Sequence, residues 1–404
     1  MEEIQKEQTQ KQFKSSEIIL LVIITLIIGF ILGLSIFKVM YDKTEEKITI
    51  EKDDELTQFI ETYNYIVDNY YDDLDKKELI ENAIAGMLDS IDDPYTTYID
   101  ETSSNTFNTT LEGSFEGIGV EIVNDSDNNI VVYSVISDSP AEKAGIKPLD
   151  IIIGMNEKSL EGVNTSEFVD MIKNTEDSEI TLQIKRDNEK LDIEVTRRLV
   201  IIPSVESTIF EKEGQKIGYI YISIFANNTY NQFKTQLESL EKNEIDSLII
   251  DVRSNTGGHL TAVENILSLF LDSSHIIYQT EDKDGIEKTY SKGNETKQYD
   301  IVVLTNESSA SASEILAAAL SEEYGATLVG KRTYGKGTVQ ELKTLPDGEQ
   351  YKFTTKKWLT PQGNWINKVG IEVDVEVEFN KDYYQNPTYD NDQQLQEAIK
   401  MILK

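Results

Sequence analysis

From residue 216 the chain alternates strand and helix, and no other feature limits its fold as tightly. The strand Ile217–Ile222 precedes an amphipathic stretch carrying Phe233, Leu237 and Leu240. The strand Ser247–Val252 precedes Leu260, Val263, Ile266, Leu267 and Phe270. The strand Ile301–Thr305 leads into a helix over Ala312–Leu320, and a strand Thr327–Gly330 follows. Short apolar strands alternating with helical periodicity imply a largely parallel sheet covered by helices. In open sheets of this kind, sites gather beyond the carboxyl ends of the strands. Three loops leave those ends here: Arg253–Gly258, the Ser-rich run after Thr305, and Lys331–Gly337. If the strands are parallel, all three lie on one rim.

Each loop carries groups with a plausible task. Ser311 sits in the run Ser308-Ser-Ala-Ser-Ala-Ser-Glu-Ile315, where a strand gives way to a helix. Lys336 lies between Gly335 and Gly337, with Gln340 downstream. The chain has no Cys and only two His, His259 and His275. A Ser–Lys dyad is therefore the natural candidate for nucleophilic chemistry, with Ser311 attacking and Lys336 as base. To accept a proton, Lys336 must be neutral, so its reference pKa of about 10.4 has to fall through desolvation. Gln340 can hydrogen-bond the amine and orient it. The N–H of Ala312, at a helix start, can hold an oxyanion, with Gly257 and Gly258 offering the second donor. Taken singly, these features read otherwise: Ser311-x-x-Glu314 matches a capping box, and a lysine between glycines is a turn residue. Their meeting on one rim favours catalysis. The two histidines read as structural or exposed rather than catalytic.

The totals narrow the partners. The formal net charge is −35, which argues against nucleic acid, since phosphate binding needs basic patches. Zero Cys excludes a disulfide framework and any thiolate metal site. No H-E-x-x-H, P-loop, EF-hand loop or G-x-S-x-G elbow occurs, and no metal or cofactor is expected. One segment sets the compartment. Ile18 to Phe37 carries no charge and is bounded by Glu17 and Lys38. At ~1.5 Å per residue it matches a ~30 Å hydrocarbon core. No small-residue cleavage site follows, so an uncleaved single-pass anchor is expected. Lys6, Lys11 and Lys14 lean toward a cytoplasmic tail with the bulk of the chain outside. Gly29 and Gly33 form a G-x-x-x-G.

Residues 38–52 read as a charged linker. Leu56, Phe59, Ile60, Tyr63, Ile66, Val67 and Tyr70 recur at helical spacing, as do Leu79, Ile80, Ala83, Ile84, Met87 and Leu88. Asp92-Asp93-Pro94 ends this pair, which needs another domain or subunit to cover it. From about residue 105 short strands and Gly-rich turns signal a small β module, with a short helix over 139–146 and another over 166–172. Residues 350–378 return to β texture, and Leu395, Ile399 and Ile402 form one stripe on a last helix.

Several of these runs resemble one family. Ser-Ala-Ser-Ala-Ser-Glu-Ile (309–315), Gly-Lys-Gly-Thr-Val-Gln (335–340), Asp-Val-Arg-Ser-Asn-Thr-Gly-Gly (251–258) and Thr-Pro-Gln-Gly (360–363) are similar to motifs of the C-terminal processing peptidases, or tail-specific proteases. So are Asp-Pro-Tyr-Thr (93–96), Phe-Glu-Gly-Ile-Gly-Val (115–120) and Ser-Pro-Ala-Glu-Lys-Ala-Gly-Ile (139–146). The resemblance runs in family order from about 55 to 378. It implies an α+β multidomain chain: a cytoplasmic tail 1–17, an N-terminal transmembrane helix 18–37, a linker and helical region 38–104, a β-rich PDZ domain 105–200, a crotonase/ClpP-like α/β protease core 201–380 and a helical tail 381–404. It maps the nucleophile to Ser311, the base to Lys336, its orienting amide to Gln340, and the oxyanion hole to Gly257 or Gly258 with Ala312. A carboxylate-binding loop would be Gly117-Ile118-Gly119-Val120, capturing a free substrate C-terminus that extends as an added strand. The resemblance also implies a homodimer through the N-terminal helices and the C-terminal tail. The chain departs from the family pattern at Ser254 and Thr256, where Asn and Pro are usual, at Ser308, and at Leu149 and Glu157, which replace turn glycines. The expected function is a membrane-anchored, extracytoplasmic serine endopeptidase acting on protein or peptide C-termini. The rival is a membrane-tethered PDZ scaffold with an inactive core.

Overall fold

The computed structural model describes residues 54–99, 108–175, 177–294, 297–345, 350–380, 383 and 386–404. The expected anchor at 18–37 and the linker lie outside these. Among the described residues no helix is long and apolar enough to cross a membrane. The chain divides at Asn82/Ala83 into two compact units. In the first, the spacing of Leu56, Phe59, Ile60 and Ile66 does produce a helix, Asp54–Asn69, with Asp54 and Glu55 in its first turn and no residue buried. A second helix, Lys76–Asp89, follows.

The β module is a five-strand antiparallel array in the order Val120–Asn124, Ile130–Val135, Ile151–Met155, Glu179–Arg186, Glu189–Thr196, with Lys158–Ser159 paired to the middle strand. Two short helices pack on it. Pro140–Ala144 starts where Ser139 accepts a hydrogen bond from Glu142 N–H and Pro140 presets the first turn, and it stops at left-handed Gly145. Thr165–Asn174 begins with a reciprocal Asn164–Glu167 capping box. Their apolar faces enclose Ile130, Val132, Ala141, Ile152, Phe168, Leu182 and Ile184. At the two positions where turn glycines are usual, Leu149 and Glu157 keep the left-handed backbone at φ 72° and 66°. The turns survive the substitutions at the expense of backbone strain.

The core sheet runs Val205–Lys212, Gln215–Ile222, Ser247–Asp251, Asp300–Thr305, Thr327–Gly330, Val375–Glu376. The first pair is antiparallel and the rest are parallel, as the alternation predicts. Every residue of Ser247–Asp251 is buried, because both faces are covered. Leu248, Ile250 and Val303 point toward the helices Thr229–Lys242, Leu260–Leu267 and Ala312–Ala319. Ile249, Val302 and Leu304 point toward Leu395, Ala398, Ile399 and Ile402 of the last helix, Gln393–Ile402. That helix therefore finds its partner in its own chain. The apolar stripe of the tail expected to meet a second subunit packs on this sheet. Arg253 latches it: the guanidinium reaches Asp251 at 2.5 Å, Asp392 at 2.7 Å and Gln394 at 3.0 Å.

A second sheet was only partly foreseen. Gln350–Leu359 pairs with Thr338–Thr344, with Thr97–Ile99 and with Ile276–Asp282, which forms a hairpin with Gly285–Tyr290. Gln340 thus lies on a strand, not on a turn or helix. The short strand Thr97–Ile99 brings the chain just after Asp93-Pro94 back onto the protease core.

Candidate active site

The three rim loops are stitched together by backbone groups. Ala310 N–H donates to Asn255 O at 3.0 Å, Tyr334 N–H to Ser309 O at 3.0 Å, and Lys331 N–H to Thr305 O at 3.0 Å. The Ser309 hydroxyl donates to Val252 O at 2.8 Å and that of Ser313 to Asn255 O at 2.8 Å. Ser254 and Asn306 close the outer side through Ser254 N–H to Asn306 Oδ1 at 2.8 Å.

Ser311 opens the helix Ala312–Ala319 with φ 55° and ψ −113°. That conformation is unfavourable for a residue with a Cβ and persists only where surroundings enforce it. Glu314 does the enforcing. Its carboxylate is fully buried. Oε2 accepts from Ser311 N–H at 2.8 Å and Lys336 N–H at 2.9 Å; Oε1 accepts from the Thr333 hydroxyl at 2.6 Å and Gly335 N–H at 2.7 Å. One side chain thus fixes the backbone of both the serine loop and the lysine loop. Burial pushes its pKa up, and these four donors pull the other way.

The Lys336 amine is largely desolvated, and its pKa falls to about 8. Burial is the main cause, the Lys352 ammonium adds to it, and Glu314 and Asp93 oppose it. The Lys336 carbonyl accepts from the Trp358 indole N–H at 2.6 Å. Gly335 and Gly337 are buried, as the flanking glycines suggested. Gln340 directs its amide nitrogen to Thr338 Oγ1 at 2.8 Å and Thr354 Oγ1 at 3.2 Å. Its observed bonds therefore hold the strand pair beside Lys336.

Gly257 and Gly258 adopt φ 104° and 143°. A Cβ on Gly257 would lie 2.8 Å from both Ala310 O and Ser311 Cβ, so only glycine lets this loop touch the serine loop. The two glycines differ in their N–H groups. Gly257 N–H donates to Asn255 Oδ1 at 2.8 Å. Neither Gly258 N–H nor Ala312 N–H appears in a hydrogen bond among the described residues. These are the two donors that can face a developing oxyanion. Asn255, buried and bonded also to Ile222 O at 2.9 Å, holds the loop in place.

Ser311, Lys336, Gly257, Gly258 and Gln340 line one cavity of about 650 Å³, with Leu111, Ile224, Leu260, Ile315, Val339 and Trp358 as its apolar wall. A second cavity, about 610 Å³, lies around Arg253, Tyr219 and Asp392. There Arg253 pairs with Asp251 and Asp392. His259 lines the first cavity but starts a helix through its backbone, with its N–H donating to Phe225 O at 2.7 Å. His275 pairs with Asp272 instead.

In the β module, Gly117 ends the strand Ser114–Gly117, Ile118 is buried, Gly119 has φ 87°, and Val120 begins the edge strand. Among the described residues Val120–Asn124 pairs with one strand only, Ile130–Val135. The strand also contacts the helix Thr165–Asn174, whose Thr165 N–H donates to Asn124 Oδ1 at 3.4 Å.

Sequence reading missed four site groups: Glu314 as the joint of two loops, Asn255 as the support of the glycines, and Asp93 and Tyr95 near Lys336. Glu314 was visible only as half of a capping box.

Comparison with known proteins follows the same division. Residues 216–377 match peptidase family S41, 108–185 match the PDZ domain, and 35–103 match the N-terminal domain of the activating protease CtpB. The chain is 39% identical to the carboxy-terminal processing protease CtpB of Bacillus subtilis over 83% of its own length and 70% of the relative's. It is 38% identical to CtpA of the same organism, over 84% and 72%. A solved S41 protease structure from Bacteroides fragilis superposes with a TM-score of 0.50 at 16% identity, covering 83% of this chain and 98% of that one. It shares the fold.

Proposed function

The chain belongs to peptidase family S41, among the carboxy-terminal processing proteases, and is a serine-type peptidase with a PDZ domain; on that premise we propose that it hydrolyses peptide bonds through a Ser311–Lys336 dyad. Neutral Lys336 takes the proton of the Ser311 hydroxyl as Oγ attacks the scissile carbonyl carbon. The carbonyl oxygen becomes an oxyanion held by Gly258 N–H and Ala312 N–H. Lys336 returns the proton to the leaving amine, and an acyl-enzyme ester remains. Water, deprotonated by the same amine, releases the new C-terminus. Gln340 steadies the strand pair beside the base.

The observation carrying this reading is the coincidence, in one apolar-walled cavity, of a desolvated amine with a pKa of about 8 and a serine held at a strained helix start. The edge of Val120–Asn124 that pairs with no strand among the described residues, beside the Gly117–Val120 loop, supports capture of a substrate C-terminus by strand addition. The uncharged run Ile18–Phe37 supports a single-pass anchor with the catalytic part outside the cell membrane. The exposed apolar residues of Asp54–Asn69, among them Phe59 and Ile60, support a homodimer.

Mass-spectrometric mapping of cleavage of an unfolded protein, by the full chain and by Ser311→Ala, tests the assignment. Cleavage that vanishes in the variant supports it. Absence of cleavage by both, with apolar C-terminal peptides present to engage the PDZ domain, points instead to a tethered scaffold. Fractionation of cells expressing the chain with and without residues 1–37 tests the anchor. Recovery of the intact chain in the soluble fraction overturns it.

A further inference from the structure

The turn Asp93–Thr96 stands far from the dyad in sequence and beside it in space. Thr96 N–H donates to Asp93 O at 3.0 Å, with Pro94 in the second position, so the turn is locally specified. It is then tied to the core. Asp93 Oδ2 accepts from the Thr96 hydroxyl at 2.8 Å and from the Thr354 hydroxyl, and Thr354 N–H donates to Thr96 Oγ1 at 3.2 Å. Thr354 is also the residue that accepts from Gln340 Nε2. Immediately afterwards Thr97–Ile99 pairs with Gln350–Lys352. This frame holds the half-buried ring of Tyr95 with its centroid 5.0 Å from Lys336 Nζ.

We propose that Tyr95 and Asp93 are positioning residues for the Lys336 amine: the ring covers it and limits its access to water, and the carboxylate holds its charged form in place. This rests on the assignment of Lys336 as the base. Burial is the largest influence on the amine, so removing the ring admits water and favours the ammonium. The ring face attracts a cation, which acts the other way and more weakly. Asp93 favours the ammonium by its charge. Among the described residues the other charged or titratable groups around the site are Glu314 on the serine helix, Lys352 on the neighbouring strand, Tyr334 beside Tyr95 and His259 on the cavity wall. A residue that only filled space would give no signed response. Tyr95 and Asp93 shift Lys336 in opposite directions.

The test reads the amine itself. The full chain in detergent micelles is labelled with fluorodinitrobenzene across a pH series, and the Lys336 peptide is quantified by mass spectrometry. Tyr95→Ala raises the apparent pKa by about one unit, roughly a tenfold loss of neutral amine below it. Tyr95→Phe, which keeps the ring, stays within about 0.3 units of the parent, and Asp93→Asn falls by about half a unit. Unchanged values in both Tyr95→Ala and Asp93→Asn overturn the proposal, as does a Tyr95→Phe shift as large as that of Tyr95→Ala. If Tyr95→Ala does not fold, Asp93→Asn decides alone: a fall supports the proposal and no change overturns it. The labelling needs no turnover. The expected shifts in a chain whose Ser311 takes no serine-directed probe would therefore sink the protease assignment and leave the positioning intact.

Discussion

Burying an amine beside a nucleophile should weaken the fold, and the structure sets the size of the effect. Lys336 has a pKa of about 8 in the folded chain, against about 10.4 for an exposed lysine. A base whose folded pKa is depressed binds its proton less well when folded. The destabilisation is complete below pH 8 and fades as the pH rises toward 10.4. Each pKa unit is worth ~1.4 kcal/mol, so the cost at pH 7 is about 3 kcal/mol as an upper figure. The attractions of Glu314 and Asp93 are already contained in it. Lys336→Met keeps the stem that fills the cavity and removes the charge. It is expected to abolish cleavage and to raise unfolding free energy by about 2–3 kcal/mol at pH 7. At pH 10 the gain should shrink to below about 1 kcal/mol. Chemical denaturation of both proteins at the two pH values measures this directly. A Lys336→Met protein less stable than its parent at pH 7, or a gain that does not change with pH, would refute the argument that desolvation depresses this amine.

Other outcomes follow from single contacts. The pH dependence of kcat/KM should rise through about pH 8 as Lys336 loses its proton; a profile flat from pH 6 to 9 would count against Lys336 as base. Glu314→Gln sets an amide NH2 against at least one N–H donor, that of Gly335 in the less costly orientation, so it should cost about 3 kcal/mol and lower activity at least tenfold, read by denaturation and by cleavage assay. Arg253→Met leaves Asp251 and Asp392 buried without their cation and should cost about 3–5 kcal/mol, with faster proteolysis of the last helix as a second readout. Leu149→Gly relieves an exposed left-handed residue and should stabilise the PDZ domain by about 1 kcal/mol without changing cleavage.

What the sequence alone determined is local or periodic. The alternation after residue 216 specified a parallel sheet, and the parallel sheet put three loops on one rim, because strand direction decides where every carboxyl end points. A short helix over 139–146 and another over 166–172 were legible in the β module, and Ser311 with Lys336 stood out as a candidate pair from residue type and spacing. Tertiary structure decided what long-range adjacency alone can decide. The bond between Thr354 and Asp93 spans 261 residues, and no local propensity encodes it. Glu314 carries a capping signature whatever lies opposite; only the folded chain brings Thr333, Gly335 and Lys336 to its free oxygens. Gly257 and Gly258 are equivalent as letters, and the Asn255 side chain alone separates their N–H groups. The last helix shows an apolar stripe that would suit a second subunit equally well. It packs on its own sheet because the alternate residues Ile249, Val302 and Leu304 leave that face apolar, and the Arg253–Asp392 pair fixes the helix there.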